Sequence, residues 1–214
     1  MVSAASTTSG ARGRGRSGAA GANVSDRRAE ILATAAEIFA RKGYVNATVR
    51  EIADASGILA GSLYHHFESK EAMVDEILST FLTTLVGRYE AVIAAGDDVE
   101  STLRTLVHVQ FEGLIENRAA ITLANNDSYY LQQIPRFAYL QETGAHIARL
   151  WVGVLQRGVD EGVFRADVDP EMVWVFIKGA IWATVQYLSD GGPTASQTIA
   201  DSYLAVLFDG VKAT

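Results

Sequence analysis

Five side chains between Thr48 and Lys70 have the chemistry to grip a polyanion. Tyr64, His65 and Lys70 can donate hydrogen bonds to phosphate oxygens, as can the Thr48 hydroxyl at a helix N-terminus. Arg50 can reach a guanine edge or a phosphate. Between them lie Leu59, Ala60, Gly61 and Ser62, small for the most part, which allow a backbone to come close to a base edge.

Such contacts require rigid elements, and the local pattern supplies them. Thr48 precedes a helical pattern and Glu51 follows three residues later, the spacing of a capping box, so a helix starts here. Ile52 and Ala53 are its apolar side, and Gly57 suits the left-handed position that ends it. A second helix is expected from Leu59 to about His66, with Ile58, Leu63 and Phe67 turned inward. Two short helices joined by a glycine-containing turn form a helix-turn-helix, whose second helix enters a major groove. A helical hairpin packed only for stability would show the same spacing.

A longer stretch carries a family resemblance. Ile31-Leu-x-x-Ala-x-x-Ile-Phe39, Lys42-Gly-Tyr44, Thr48-Val-Arg-Glu-Ile-Ala53, Gly57, Gly61-Ser-Leu-Tyr-His-His-Phe67 and Ser69-Lys-Glu71 resemble the TetR family of transcriptional regulators. The resemblance implies that Thr48, Tyr64, His65 and Lys70 hold phosphates, while Arg50, Leu59, Ala60, Gly61 and Ser62 face bases. It also implies a homodimer, a palindromic operator and repression relieved by a small effector.

Composition agrees once the chain is divided. The 214 residues carry a formal net charge of −7, which alone does not suit a DNA binder. Residues 1–70 hold nine Lys+Arg against six Asp+Glu, a net +3, whereas residues 71–214 hold nine against nineteen, a net −10. Any nucleic-acid contact therefore belongs to the N-terminal third, and the acidic remainder stands away from DNA. Cysteine is absent, so thiol and disulfide chemistry are excluded, in keeping with a cytoplasmic location. Residues 172–188 are the most apolar later stretch, but Lys178 and Gln186 interrupt them and a buried helix is expected, with no membrane partner.

The expected architecture is all-α. Residues 1–25, rich in Ser, Gly and Ala with Arg12, Arg14 and Arg16 between glycines, are expected to form a disordered tail, or alternatively a basic arm that adds DNA affinity. Residues 26–70 form a three-helix DNA-binding domain whose first helix spans 26–42, ended by Gly43. Residues 71–214 form an effector-binding and dimerisation domain, entered through a long helix over 69–95 that starts at a Ser69 cap. Further helices are expected over 99–117, 119–132, 135–162, 170–189 and 195–212, with a break at Gly191-Gly-Pro193.

The last two of these helices are apolar on more than one side, and a helix of that kind needs a second burial surface. Trp174, Ile181, Val185, Leu204, Leu207 and Phe208 are the candidates for dimerisation. An aromatic-rich set with a few polar groups, His108, Phe111, Asn125, Tyr129, Trp151, Phe176, Trp182 and Gln186, is the candidate lining of a pocket for a hydrophobic ligand. Pro135-Arg-Phe-x-Tyr139, Trp151-Val-x-Val-Leu155 and the run from Phe176 through Trp182 to Gly191-Gly-Pro193 are similar to the TetR regulators of cholesterol-ring catabolism. That similarity implies a steroid fragment, as a CoA thioester, for the effector. It also implies an arginine one turn after the tryptophan, where this chain has Gln186.

Two other classes account for the sequence less well. An enzyme has no support: His65 and His66 are adjacent, not the i, i+4 pair of a helical metal site, and neither a phosphate loop nor a Ser/His/acid set is evident. No cofactor or metal is expected. A helical small-molecule carrier would leave the basic first third and the Tyr64-His65 element without a use.

Overall fold

The computed structural model describes residues 17–189 and 196–211, and every regular element among them is helical. In chain order these are α1 (Ser17–Asn46), α2 (Val49–Ala55), α3 (Ala60–Leu63), α4 (Lys70–Ala94), α5 (Val99–Glu116), α6 (Arg118–Asn126) and α7 (Ser128–Leu131). A single 3-10 turn (Pro135–Phe137) then leads into α8 (Tyr139–Asp160), followed by α9 (Pro170–Ser189) and α10 (Ser196–Val211).

Most boundaries follow from local chemistry. Ser69 caps α4 by accepting from Ala72 N–H, and Asp98 caps α5 by accepting from Ser101 N–H. Pro170 sits at the first position of α9, preceded by Asp169, whose carboxylate accepts from Glu171 and Met172 N–H. The helical path of α1 breaks at Gly43, where φ is 77°, the expected end of the first helix. The helix expected over 119–132 is cut at Asp127 into α6 and α7, and the one over 135–162 opens with the 3-10 turn.

The expectation for residues 1–25 is corrected in part. The α1 backbone is already helical at Ser17, because Ala19, Ala20 and Ala22 favour helix and no proline stops it before Asp26. Arg12, Arg14, Arg16 and the Gly191-Gly-Pro193 break lie outside the described residues.

Two hydrophobic cores are stacked along α4. The first gathers Ile31, Phe39, Ile52, Leu63 and Phe67 with Met73, Val74 and Leu78 of α4. The second gathers Phe81, Leu85 and Tyr89 of α4 with apolar residues of α5, α8, α9 and α10. The boundary expected at residue 70 is therefore displaced: residues 26–70 do not close their own core. The first core also takes Leu123, Leu131 and Phe137, all fully buried, from α6, α7 and the 3-10 turn. Among the described residues α4 is the one helix long and apolar enough to cross a membrane by composition, but its apolar residues are those that bind the two cores together.

Leu78 has no exposed surface and sits near the handover between the cores. Leu78→Ala is expected to lower unfolding free energy by about 2–5 kcal/mol, read as a shifted midpoint in urea denaturation.

Candidate nucleic-acid interface and ligand cavity

The helix-turn-helix is built by two interlocking end motifs. At the start of α2 the Thr48 hydroxyl accepts from Glu51 N–H at 3.2 Å, and the Glu51 carboxylate accepts from Thr48 N–H at 3.1 Å. Lys42 pairs with the same carboxylate and, with the Thr48 bonds, holds Glu51 below the usual carboxylate range. At the end of α2, Ile58 N–H reaches Ala53 C=O at 3.0 Å and Gly57 N–H reaches Asp54 C=O at 3.1 Å. That paired closure needs a left-handed residue, and Gly57 supplies it at φ 67°.

The chain then turns into α3. Its regular part, Ala60–Leu63, is shorter than the helix expected from Leu59 to His66. Beyond Leu63 it winds into turns, because the Leu63 carbonyl accepts from both His66 and Phe67 N–H. Leu63 and Phe67 are buried and Ile58 half-buried, as expected. The outer side presents Leu59, Gly61, Tyr64 and His65, all exposed, with Ala60 and Ser62 half-buried beside them. On α2, Thr48 and Arg50 are exposed, and Arg50 reaches only Asp54, at 3.9 Å. Eight of the nine expected DNA-facing residues thus lie on the surface of one helix pair.

Lys70 is the exception and a correction. Its ammonium donates to the carbonyls of Tyr44 at 2.8 Å, Val45 at 3.4 Å and Ala47 at 3.1 Å, and lies 4.4 Å from the Tyr44 ring centre. All three donors are occupied within the protein, so Lys70 clamps the end of α1 to α4 instead of offering itself to a phosphate.

The helix-turn-helix is tied to the C-terminal helices at a junction the sequence did not reveal. Tyr44 N–H donates to Asp127 at 2.9 Å, and a Cβ at Gly43 would stand 3.3 Å from the same carboxylate. The Tyr44 hydroxyl donates to Glu71 at 2.6 Å, with Tyr130 against its ring at 5.5 Å. Burial, then the bond to Glu71, drives the Tyr44 hydroxyl pKa up, while that bond holds Glu71 below the usual range. Arg136 bridges Glu68 at 2.7 Å and Asp75 at 3.1 Å.

The aromatic set expected to line a ligand pocket does not converge. Phe111 and Trp151 are core residues, packed edge-on against Tyr203 and Tyr89 respectively. His108 pairs with Asp201 of α10 at 3.4 Å. Asn125 and Tyr129 are exposed beside the helix-turn-helix domain, Phe176 and Gln186 are exposed on α9, and Trp182 is half-buried there. Aromatic composition does not reveal direction, and these side chains leave their helices on different faces. A cavity of about 590 Å³ lies between the domains. Leu32 and Ala36 of α1, Ile77 and Phe81 of α4, Ile115 of α5 and Leu188 of α9 give it apolar walls, with Glu37, Glu76, Asn117 and Arg118 among its polar groups. Its α1 wall was legible in principle, since Ala29, Ala33 and Ala36 form a small-residue stripe at helical spacing.

The dimerisation set divides. Val185, Leu204 and Phe208 are buried in the second core, and Trp174, Ile181 and Leu207 are half-buried against it. The apolar face left open by the two terminal helices is Met172, Val175, Phe176 and Tyr187 on α9 with Val206 on α10. On α9 it continues through exposed Gly179 and Ala183, so that residues 172, 175, 176, 179, 183 and 187 form one stripe.

An exposed helix-turn-helix face clamped to an acidic all-helical domain defines a DNA-binding regulator of the helix-turn-helix class. Residues 31–77 match the model of the tetR family of bacterial regulatory proteins, and residues 96–211 match the tetracyclin repressor-like C-terminal domain. The chain belongs to the TetR family of transcriptional regulators, whose members are not enzymes. It is 43% identical over 187 residues to the HTH-type transcriptional repressor KstR2 of Rhodococcus jostii (strain RHA1), covering 87% of this chain and 92% of that protein. It is 39% identical over 188 residues to KstR2 of Mycobacterium tuberculosis (strain ATCC 25618 / H37Rv), covering 88% and 94%. The solved structure of the ketosteroid transcriptional regulator KstR2 of Mycobacterium tuberculosis superposes with a TM-score of 0.84 at 38% identity, over 88% of this chain and 96% of that one.

Lys70→Met tests the clamp. The expected result is a loss of about 1–3 kcal/mol of stability, since the partly buried carbonyls of Tyr44 and Ala47 lose their donor. The slope of log K against log salt for DNA binding should be unchanged; a phosphate ligand would instead reduce it by about one.

Proposed function

We propose that this protein is a dimeric repressor that holds a palindromic DNA operator and releases it on binding a small hydrophobic effector. The observation that carries the proposal is the outer side of α2 and α3. Thr48, Arg50, Tyr64 and His65 offer donors there, Leu59, Ala60, Gly61 and Ser62 form the surface between them, and of these side chains only Ala60 packs against the domain core. Thr48, Tyr64 and His65 take the phosphates; Arg50 and that surface meet base edges. The relatives at 39–43% identity are named repressors, which supports repression as the sign of regulation. DNA as the partner implies the cytoplasm as the place of work.

A dimer follows from the need to place two recognition elements about one helical turn of DNA apart. Its interface is the open stripe of α9, where Gly179 and Ala183 let a second backbone come close and Phe176 supplies the largest exposed apolar side chain. Phe176→Glu is expected to shift the protein from dimer to monomer in sedimentation velocity and to weaken operator binding by at least tenfold.

The junctional cavity is the effector seat on this reading. Its walls come from α1 on one side and from α4, α5 and α9 on the other, so an occupant touches both domains. A ligand shifts a conformational equilibrium only by its differential affinity for the two states, and a cavity shared by two bodies changes shape whenever they move. A steroid catabolite is the favoured class, because the solved relative is named a ketosteroid regulator and apolar residues of α1, α4, α5 and α9 wall the cavity. Whether the catabolite arrives as a CoA thioester is set by cations near the mouth. Gln186, where the resemblance implies arginine, supplies none and does not line this cavity, whereas Arg118 does.

Fluorescence anisotropy on DNA flanking the protein's own gene tests both halves, with a panel of steroid and acyl compounds, free and as CoA thioesters. Palindrome-specific binding released by a steroid compound is the expected result. Specific binding that no compound disturbs discards the steroid reading, and absence of specific binding at moderate salt discards operator binding at that site.

A further inference from the structure

The recognition element starts on the wrong residue for its own stability. Leu59 is the N-cap of α3, in extended conformation at φ −70° and ψ 142°, and it makes no side-chain cap bond. Ser, Thr, Asp or Asn at that position would satisfy a free N–H of the first turn, and leucine cannot. Nor does Leu59 contribute to the core: it is 79% exposed, among the described residues second only to Tyr129 at 83% for a large apolar side chain. One exposed leucine is ordinary on a protein surface. A leucine that is exposed, displaces a cap and stands on the surface meant for a ligand breaks local rules without structural gain, and such breaks mark functional positions.

The chemistry of the surroundings selects the use. Gly61 adds no side chain, a Cβ there would meet nothing within 4 Å, and Ala60 adds a methyl group. Leu59 is therefore the most prominent side chain at the start of α3. It carries neither donor nor acceptor, so it cannot read the polar atoms of a base edge. In the major groove of unmodified DNA the one apolar substituent is the C5-methyl group of thymine. On the reading of α2 and α3 as the DNA-facing element, on which this inference rests, we propose that Leu59 selects a thymine in each operator half-site by burying its 5-methyl group. Specificity at that position is apolar contact, not hydrogen bonding, and deoxyuridine is discriminated from thymidine although the two pair identically.

The test replaces thymine by deoxyuridine, which removes the methyl and nothing else. A duplex is first selected from a random-sequence pool by the full-length protein, and each thymine of one half-site, with its symmetry mate, is then replaced in turn. Burial of one methyl group corresponds to a loss of about fourfold per contact, so about fifteenfold is expected when both half-sites are changed at one position. Leu59→Ala is expected to bind thymine and uracil duplexes equally at that position. Its thermal midpoint and salt slope should match the parent protein, since Leu59 packs against no core residue. Two results overturn the proposal: no thymine whose replacement weakens binding, or a penalty that persists undiminished in Leu59→Ala. If no duplex is enriched at all, DNA reading by α3 falls and the proposal with it, an outcome distinct from specific binding indifferent to the methyl.

Discussion

The apolar stripe of α4 is the constraint on which the rest of the molecule depends. Met73, Val74 and Leu78 close the core beneath the helix-turn-helix, and Phe81, Leu85 and Tyr89 close the core of the C-terminal helices. Neither core is complete without this helix, so the two domains share a beam and are not joined by a linker. Side chains in such cores are close-packed, and a shift of α4 at one end is transmitted to the other as a steric demand. The position of α3, and with it the reading surface, is set through the same helix, since Leu63 and Phe67 pack in the first core beside Met73 and Val74.

Around the beam, the domain junction is held by contacts of modest individual strength. The Tyr44–Asp127 and Tyr44–Glu71 hydrogen bonds contribute about 1 kcal/mol each, somewhat more where a carboxylate accepts. Arg136 with Glu68 and Asp75 is a largely exposed network and contributes less. Couplings between ligand and DNA sites in regulators are typically about 1–3 kcal/mol, within what the making and breaking of a few such contacts supplies. The cavity lies at this junction, bordered by Glu76, which pairs with Arg28 of α1, and by Glu116, which pairs with Arg88 of α4. Charged groups that fix α1 and α5 against α4 are thus part of the wall that an occupant would press upon.

The two terminal helices separate inward and outward roles by residue. Val185, Leu204 and Phe208 are consumed by the second core, whereas Met172, Val175, Phe176 and Tyr187 are left open. A helix apolar nearly all round thus fills a core with one side and leaves an apolar stripe on the other. The small residues Gly179 and Ala183 fall on the open side, where close backbone approach is useful, and not on the side filled by bulky neighbours.

Much was decided by short-range chemistry and was therefore legible in the sequence. The capping box from Thr48 to Glu51, the glycine closure at Gly57, the Ser69 cap and the Pro170 start depend on residues a few positions apart, and they fix α2, α4 and α9 wherever the rest of the chain goes. The family motifs, also short in range, marked out the helix-turn-helix segment that matches the family over residues 31–77. What only the tertiary structure decided is direction and partnership. Lys70 is sequestered by three carbonyls lying 23 to 26 residues upstream, Asp127 reaches 83 residues back to Tyr44, and the expected pocket aromatics scatter while a cavity opens between α1 and α4. Composition and spacing state which groups are available. Which of them meet is settled by long-range packing, where a rotation of one helix by a single residue, about 100°, turns a surface group into a core group.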